Sequence, residues 1–370
     1  MDSSIGWLLD VTIEQNCATL WIKTTDGKIL RLRDGYRPNF YVLPKNENAG
    51  IELFHLLSQQ PKIKKLEWVD RCTNLFDHDG YGMKRLICVY PESIYHYKVL
   101  SKKLQNDSRV VRVFNADLSH VQQYLFTQLK IEPTCKIQAQ YDGVRLICMI
   151  KLDEYDIEAP PFSILYFEVI MSLSPYSFDP YDVNDHIRQI SARYQEEPEI
   201  IFEGSEEKML TDFCRYVLTK DPDIIISPKQ RSASVLNYLF AIMSEYEIDI
   251  ELGRGKTTME DNWGKRKIIE GRIYLESGAQ SVLEVIEKSR FACLPLGLAA
   301  SYGMSRLIDS RNCYELFNRG FVVSSSDRQE SIRTVEEIFG RDNGGMIFSP
   351  LAGYYGYKYR FPPLLSPYEM

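Results

Sequence analysis

The chain has 370 residues, with 44 basic and 51 acidic side chains and a formal charge of −7. At roughly 150 residues per domain, that length predicts two or three domains, and an apolar share of 44% excludes a disordered or fibrous chain. The acidic balance excludes bulk, sequence-blind adhesion to nucleic acid but leaves room for a local basic groove. No stretch approaches the ~18 apolar residues of a membrane span, and the N-terminus MDSSIGWLLDVTIEQN lacks the pattern of a signal peptide. Eight widely spaced cysteines form no CxxC, and several lie in apolar runs such as LICVY and LICMI. They predict a reducing, cytoplasmic setting without disulfides or structural zinc.

The first ~150 residues read as short strands and helices in α+β order. Cys17 to Arg33 is two alternating runs around Thr25-Asp26-Gly27, a hairpin signal because Asp-Gly tolerates positive φ. NFYVL, Met83 to Tyr90 and RVVRVF read as strands. IELFHLLSQQ, the segment capped by Ser93, and the one opened by Asp117-Leu118-Ser119 read as helices. A second unit starts near Pro160-Pro161 with the apolar strand Ser163 to Ile170, whose composition suits burial on both faces. Strands at IRQISARY and EIIFEG follow, then a helix capped by Ser205 with Glu206 and Glu207 in its first turn. The strand DIIIS, a helix carrying Val235 to Met243, a basic hairpin-like stretch and the strand GRIYLE complete a mixed-sheet α/β unit. Ser281 and Glu284 form a capping box ahead of another helix. Beyond Leu294 the chain reads as a helical connector and a Gly/Tyr/Pro-rich tail.

Two-metal phosphodiester chemistry needs several converging carboxylates, and D-x-E on a buried strand is one way to supply two of them. Asp156 and Glu158 have the right spacing but lie in a polar stretch running into prolines, the context of solvated charges. The apolar strand carries Glu168 but has Ile170 where a second carboxylate is needed. Gly253 to Thr257 lacks the first glycine of a Walker loop, since Ile250 stands in its place. Arg254, Lys256, Lys265, Arg266 and Lys267, with Trp263 among them, form either a solvated hairpin or a surface for phosphates and a stacked base. The histidines show no HxH or HExxH spacing, no GxSxG occurs, and Asp77-His78-Asp79 stands alone as a loop.

Gly204 to Ser227, GSEEKMLTDFCRYVLTKDPDIIIS, resembles the exonuclease domain of family B DNA polymerases, in which SE-x-x-LL leads to DPDII. ILYFEVI resembles that family's first exonuclease strand. Tyr36 to Pro44, Phe114 to Phe126, and the connector SRFACLPLGLAASYGMSRLIDSRNCYELFNRGFVV with GRDNGGMIFSPLAGYYG resemble further pieces, in order, over nearly the whole chain. The resemblance implies a mixed α+β N-terminal domain over 1–155, a ribonuclease-H-like exonuclease-type domain over 156–293, and a connector over 294–370 returning toward the first. It also places the family's metal-binding acids at Glu168, Ile170 and Ser234, so at most one carboxylate is retained. The helix bearing the third exonuclease motif is absent by length, and Phe361, Pro362 and Pro363 stand where the palm aspartate would follow.

The resemblance therefore implies a catalytically inactivated homologue without a resident cofactor, Mg2+ included. It would act in replication or repair by binding single-stranded or primed DNA, a replication partner, or both. The alternatives are the N-terminal piece of a split polymerase completed by a palm-bearing chain, or residual nuclease activity from Glu168 with Asp156 or Glu158. Archaeal members hold a uracil-capturing pocket, and Tyr36, Pro38 and Pro91 to Ile94 fall at its walls, while Asn39 and Tyr95 depart from its usual residues. No membrane contact is expected.

Overall fold

The computed structural model describes residues 1–73, 82–152, 159–172, 186–228, 235–248, 252–255, 258–260, 267–277 and 281–323, with 258–260, 267, 268 and 277 described by backbone alone. The described chain belongs to one compact unit spanning Met1–Ser325. Its strands β1 (Asp2–Glu14), β2 (Cys17–Thr24) and β3 (Ile29–Gly35) start a closed barrel. The hairpin turns at Gly27, whose φ of 84° is the left-handed conformation that glycine adopts without a Cβ penalty. A second group follows: β4 (Phe40–Pro44), α1 (Glu47–Ser58), β5 (Ile63–Cys72), β6 (Met83–Pro91), α2 (Ile94–Gln105) and β7 (Val110–Phe114). These strands form a sheet in the order β5-β6-β4-β7. It is covered by Leu53 and Leu57 of α1 and by Tyr97, Leu100 and Leu104 of α2.

Ser119 caps α3 (His120–Tyr124) in a full capping box, and the helix runs on into a π-helical turn, Leu125–Leu129. The barrel is completed by β8 (Lys136–Asp142) and β9 (Arg145–Lys151), in the order β1-β2-β3-β9-β8. Its last seam is thin. β3 meets β9 in parallel through the single pair Arg33 and Arg145, with Arg33 N donating to Val144 O at 2.6 Å.

The mixed sheet comprises β10 (Ile164–Met171), β11 (Ile187–Tyr194), β12 (Ile200–Phe202), β13 (Ile224–Pro228) and a fifth strand, Ile273–Ser277. Between the third and fourth strands runs α4 (Glu206–Lys220), and after the fourth comes α5 (Val235–Glu245). The short antiparallel pair β14 (Thr258–Glu260) and β15 (Lys267–Ile269) precedes the fifth strand, hereafter β16. The order is β12-β11-β10-β13-β16, with β10, β13 and β16 parallel and the other neighbours antiparallel. α6 (Val282–Ala292), α7 (Leu296–Ser301) and α8 (Met304–Asn318) end the described chain. α8 returns to the barrel, where Tyr314 packs on Phe126 at 5.6 Å between ring centres.

One expectation is corrected. β10 is not buried on both faces. Leu165, Phe167, Val169 and Met171 are buried against α4 and α5, whereas Tyr166, Glu168 and Ile170 stay partly exposed. Successive side chains of a strand project to opposite faces, so the apolar composition of β10 seals one face and leaves the other partly exposed.

Barrel and mixed sheet are joined by apolar packing and by buried charge. Trp7, Leu9 and Trp21 of the barrel pack with Ile224, Ile226, Ile273 and Leu275 of the sheet and with Val285, Ile286 and Leu296. Asp223, fully buried, accepts from Ser163 N at 2.9 Å and Ser163 Oγ at 3.0 Å. It pairs with Lys23 of β2 at 3.0 Å and with Arg254 at 2.9 Å. Arg254 also reaches Asp221 Oδ1 at 2.9 Å and the Gly271 carbonyl at 2.9 Å, and Arg272 joins Asp221 at 2.7 Å. Across the same junction Arg31 of β3 pairs with Glu270 at 2.7 Å. Gly271 sits at φ 79° against Trp21, and a Cβ there would lie 2.9 Å from the indole.

Removing one member of a buried pair leaves a desolvated charge, which costs about 3–5 kcal/mol. Arg254→Ala is therefore expected to lower stability by about that amount in urea unfolding, and a loss well below it would mean that Lys23 alone satisfies Asp223. Asp10 of β1 is a second buried carboxyl. Burial pushes it up to about 7, a backbone hydrogen bond at Val11 pulls it down, and Glu270 adds repulsion. A folded-state pKa above the unfolded value of 3.8 means that stability is lost as pH rises between those values and levels off above the higher one. Asp10→Asn is expected to gain on wild type between pH 4 and pH 8, by at most about 4 kcal/mol, read from urea titrations at the two pH values.

Candidate nucleic-acid interface

The open face of β10 is where the sequence places the remnant carboxylate. Tyr166, Glu168 and Ile170 alternate along it because residues two apart on a strand project to one side. Across the ladder they meet Arg193, Ser191 and Gln189 of β11. The Arg193 guanidinium lies 5.3 Å over the Tyr166 ring, a cation–π arrangement that leaves both groups on the surface. Glu168 thus shares its face with an aromatic–cation pair and an isoleucine. Among the described residues no three His, Cys, Asp or Glu side chains come together to hold a metal ion. Ser234, Asp156 and Glu158 lie outside the described residues.

Arg254 is corrected from surface cation to structural ion. Its side chain is 8% exposed, and its donors go to Asp221, Pro222, Asp223 and Gly271. A guanidinium buried and held that way is not presented to a phosphate. Lys256, Trp263, Lys265 and Arg266 lie outside the described residues. Lys267 opens β15 opposite Glu260, its backbone alone being described.

The expected N-terminal pocket is filled by the protein's own side chains. Tyr36 is 2% exposed, its ring edge-on to Tyr124 at 5.7 Å, and its hydroxyl donates to Gln123 Oε1 at 2.6 Å. The Gln123 amide nitrogen in turn donates to the Asn39 carbonyl and to Asn39 Oδ1. Pro38 is buried, Pro91 is buried and pairs with Ile63, and Ile94 is partly exposed as the first residue of α2. The sequence reading therefore errs in giving Tyr36 to an open wall: a tyrosine whose hydroxyl is bonded and whose ring is in the core has nothing to offer a base. It also misses Gln123 and His120, both buried. His120 packs against Tyr97 at 4.9 Å, and burial, with Lys98 adding to it, lowers its pKa to about 4, so it stays neutral. The signal was present in HVQQYLF, where His120, Gln123 and Tyr124 recur at helical spacing on the inner face. Tyr36→Phe deletes one buried hydrogen bond and strands Gln123, and is expected to cost about 1–3 kcal/mol in thermal or urea unfolding.

The chain is similar in sequence and in fold to DNA polymerases. No family model matches it. It is 26% identical over 286 residues to a DNA polymerase of Archaeoglobus fulgidus, covering 75% of this chain and 35% of that protein. Its fold matches the structure of the family B DNA polymerase from the hyperthermophilic archaeon Pyrobaculum calidifontis with a TM-score of 0.72 at 15% identity, over 88% of this chain and 52% of that one. The chain thus spans about a third and about half of the lengths of these two relatives. The architecture is the mixed α+β fold of the N-terminal and exonuclease region of family B polymerases. No helix among the described residues is long and apolar enough to cross a membrane.

Proposed function

We propose that this polymerase-related chain binds single-stranded or primed DNA without cleaving it, in replication or repair. The observation that carries the reading is the open face of β10. Hydrolysis by two metals requires a convergent carboxylate set, and here Glu168 is followed on its face by Ile170 and flanked by the Tyr166–Arg193 pair. An aromatic ring beside a guanidinium suits a stacked base and its phosphate, which holds a strand without activating water. Lys256, Lys265, Arg266 and Lys267 would supply further phosphate contacts, with Trp263 as a second stacking group. No Mg2+ is required. The acidic net charge confines the contact to such local patches, so affinity is modest and salt-sensitive.

Fluorescence anisotropy with a labelled single-stranded oligonucleotide tests the leading reading. Binding at ~50 mM salt is expected, with affinity falling steeply as salt rises. Tyr166→Ala is expected to weaken it by about 1–3 kcal/mol, the worth of one stacked base, and Arg193→Gln to weaken it and flatten the salt dependence. The oligonucleotide should stay intact in Mg2+. Absence of binding at low salt would sink the reading, and Mg2+-dependent shortening that disappears in Glu168→Gln would replace it with residual nuclease activity.

A further inference from the structure

The mixed sheet ends on β12, which has β11 on one side and, among the described residues, no strand on the other. Along the shared ladder Phe202 lies opposite Ile190, Ile201 opposite Ser191 and Ile200 opposite Ala192. Phe202 turns inward, its ring 6.0 Å from Phe213 and 5.8 Å from Tyr216 of α4. Ile200 and Ile201 are 40% and 50% exposed, and they project to opposite faces because adjacent residues of a strand alternate. An edge strand presents a row of N–H and C=O groups without ladder partners, a template for another chain. Among the described residues, Glu199 to Glu203 make no backbone bond beyond the β11 ladder.

The charge around this edge has one sign. From Glu196 to Glu207 the chain carries six glutamates and no lysine or arginine. Two of the six are engaged within the fold. Glu197 pairs with Lys220 at 2.6 Å, and Glu206 accepts from Ile187 N and from the Tyr246 hydroxyl, each at 2.8 Å, with His186 at 3.5 Å. The other four, Glu196, Glu199, Glu203 and Glu207, are exposed and have no ion pair or side-chain hydrogen bond among the described residues. Glu199 and Glu203 directly bracket the strand. Charged residues alone would blunt an edge against pairing, but the two isoleucines left bare between them keep an apolar surface that pairing would cover.

We propose that β12 accepts an extended basic segment of a partner protein as an added strand. Main-chain bonds to the free edge hold the segment, its alternate apolar side chains cover Ile200 and Ile201, and its lysines or arginines meet Glu196, Glu199, Glu203 and Glu207. About five residues, about 17 Å of extended chain, span the edge from Glu199 to Glu203. The same glutamates repel a nucleic-acid backbone, so the occupant is a polypeptide, and the surface is distinct from the Tyr166–Arg193 pair on the open face of β10.

Fluorescence anisotropy of the full chain with three labelled peptides tests the proposal: alternating lysine and valine (KVKVKVK), the same charge with a central proline (KVKPKVK), and alternating glutamate and valine (EVEVEVE). The alternating basic peptide is expected to bind at ~50 mM salt, where exposed charges are weakly screened, and the acidic one to show no binding. The proline peptide should bind about three- to tenfold more weakly, because proline removes a ladder donor at unchanged charge. Glu199→Lys combined with Glu203→Lys is expected to weaken the basic peptide about tenfold, as two exposed pairs turn repulsive. Both side chains are exposed and unpaired, so the unfolding temperature of that variant should match wild type. Tyr166→Ala should weaken the oligonucleotide and leave the peptide unaffected, so this edge and the proposed DNA-binding face can fail independently. Equal affinity for the two basic peptides, peptide binding that survives the double charge reversal or is lost in Tyr166→Ala, or no binding at millimolar peptide would overturn the proposal.

Discussion

Asp223 is the residue on which the association of barrel and mixed sheet turns. It has no solvent exposure, and Lys23 and Arg254 approach it from opposite parts of the fold while Ser163 supplies two further donors. Those requirements set much of the local architecture. Ser163 must lead into β10 beside the start of β13, and Arg254 must double back from the segment before β14. Asp221 must stand in the left-handed conformation at the end of α4 (φ 47°), where it receives both Arg254 and Arg272. A buried ionic cluster of this kind adds little net stability over an apolar one. It does penalise any rotation of the barrel against the sheet, because each slip would strand a charge.

The mixed sheet keeps its frame apart from the chemistry it carries. Packing below β10 depends on Leu165, Phe167, Val169 and Met171 against α4 and α5, and burying each of these is worth about 1.5–3 kcal/mol. The residues above it, Tyr166, Glu168 and Ile170, contribute less to that core and are free to vary in kind. A strand can therefore hold register with β11 and β13 while the groups on its open face change from one type to another.

Much of this was legible in the sequence where local physics decides. The Asp26-Gly27 turn, the caps at Ser93, Ser119, Ser205 and Ser281, and the amphipathic α4 each rest on a signal a few residues long, and the structure places each of them. β1 was passed over because IGWLLDVTI has no alternation: Leu8 points into the barrel core while Leu9 packs toward the mixed sheet, so both faces are buried. β5, β8 and β9 carry mixed patterns with exposed apolar residues such as Ile147 and Ile150. Arg254 was misread for a different reason. Its neighbours in sequence are cations, but its partners, Asp221 and Asp223, lie some thirty residues earlier and become neighbours only when β13 is laid beside β16.

The thin seam of the barrel has a consequence for motion. Every other junction in that barrel is a ladder of several pairs, whereas β3 and β9 are held by a single pair and its flanking bond. Local opening of a fold begins where the fewest backbone bonds must break together. The barrel should accordingly breathe by parting β9 from β3 as a flap hinged on β8, with its amides exchanging with solvent ahead of those in β1 and β2.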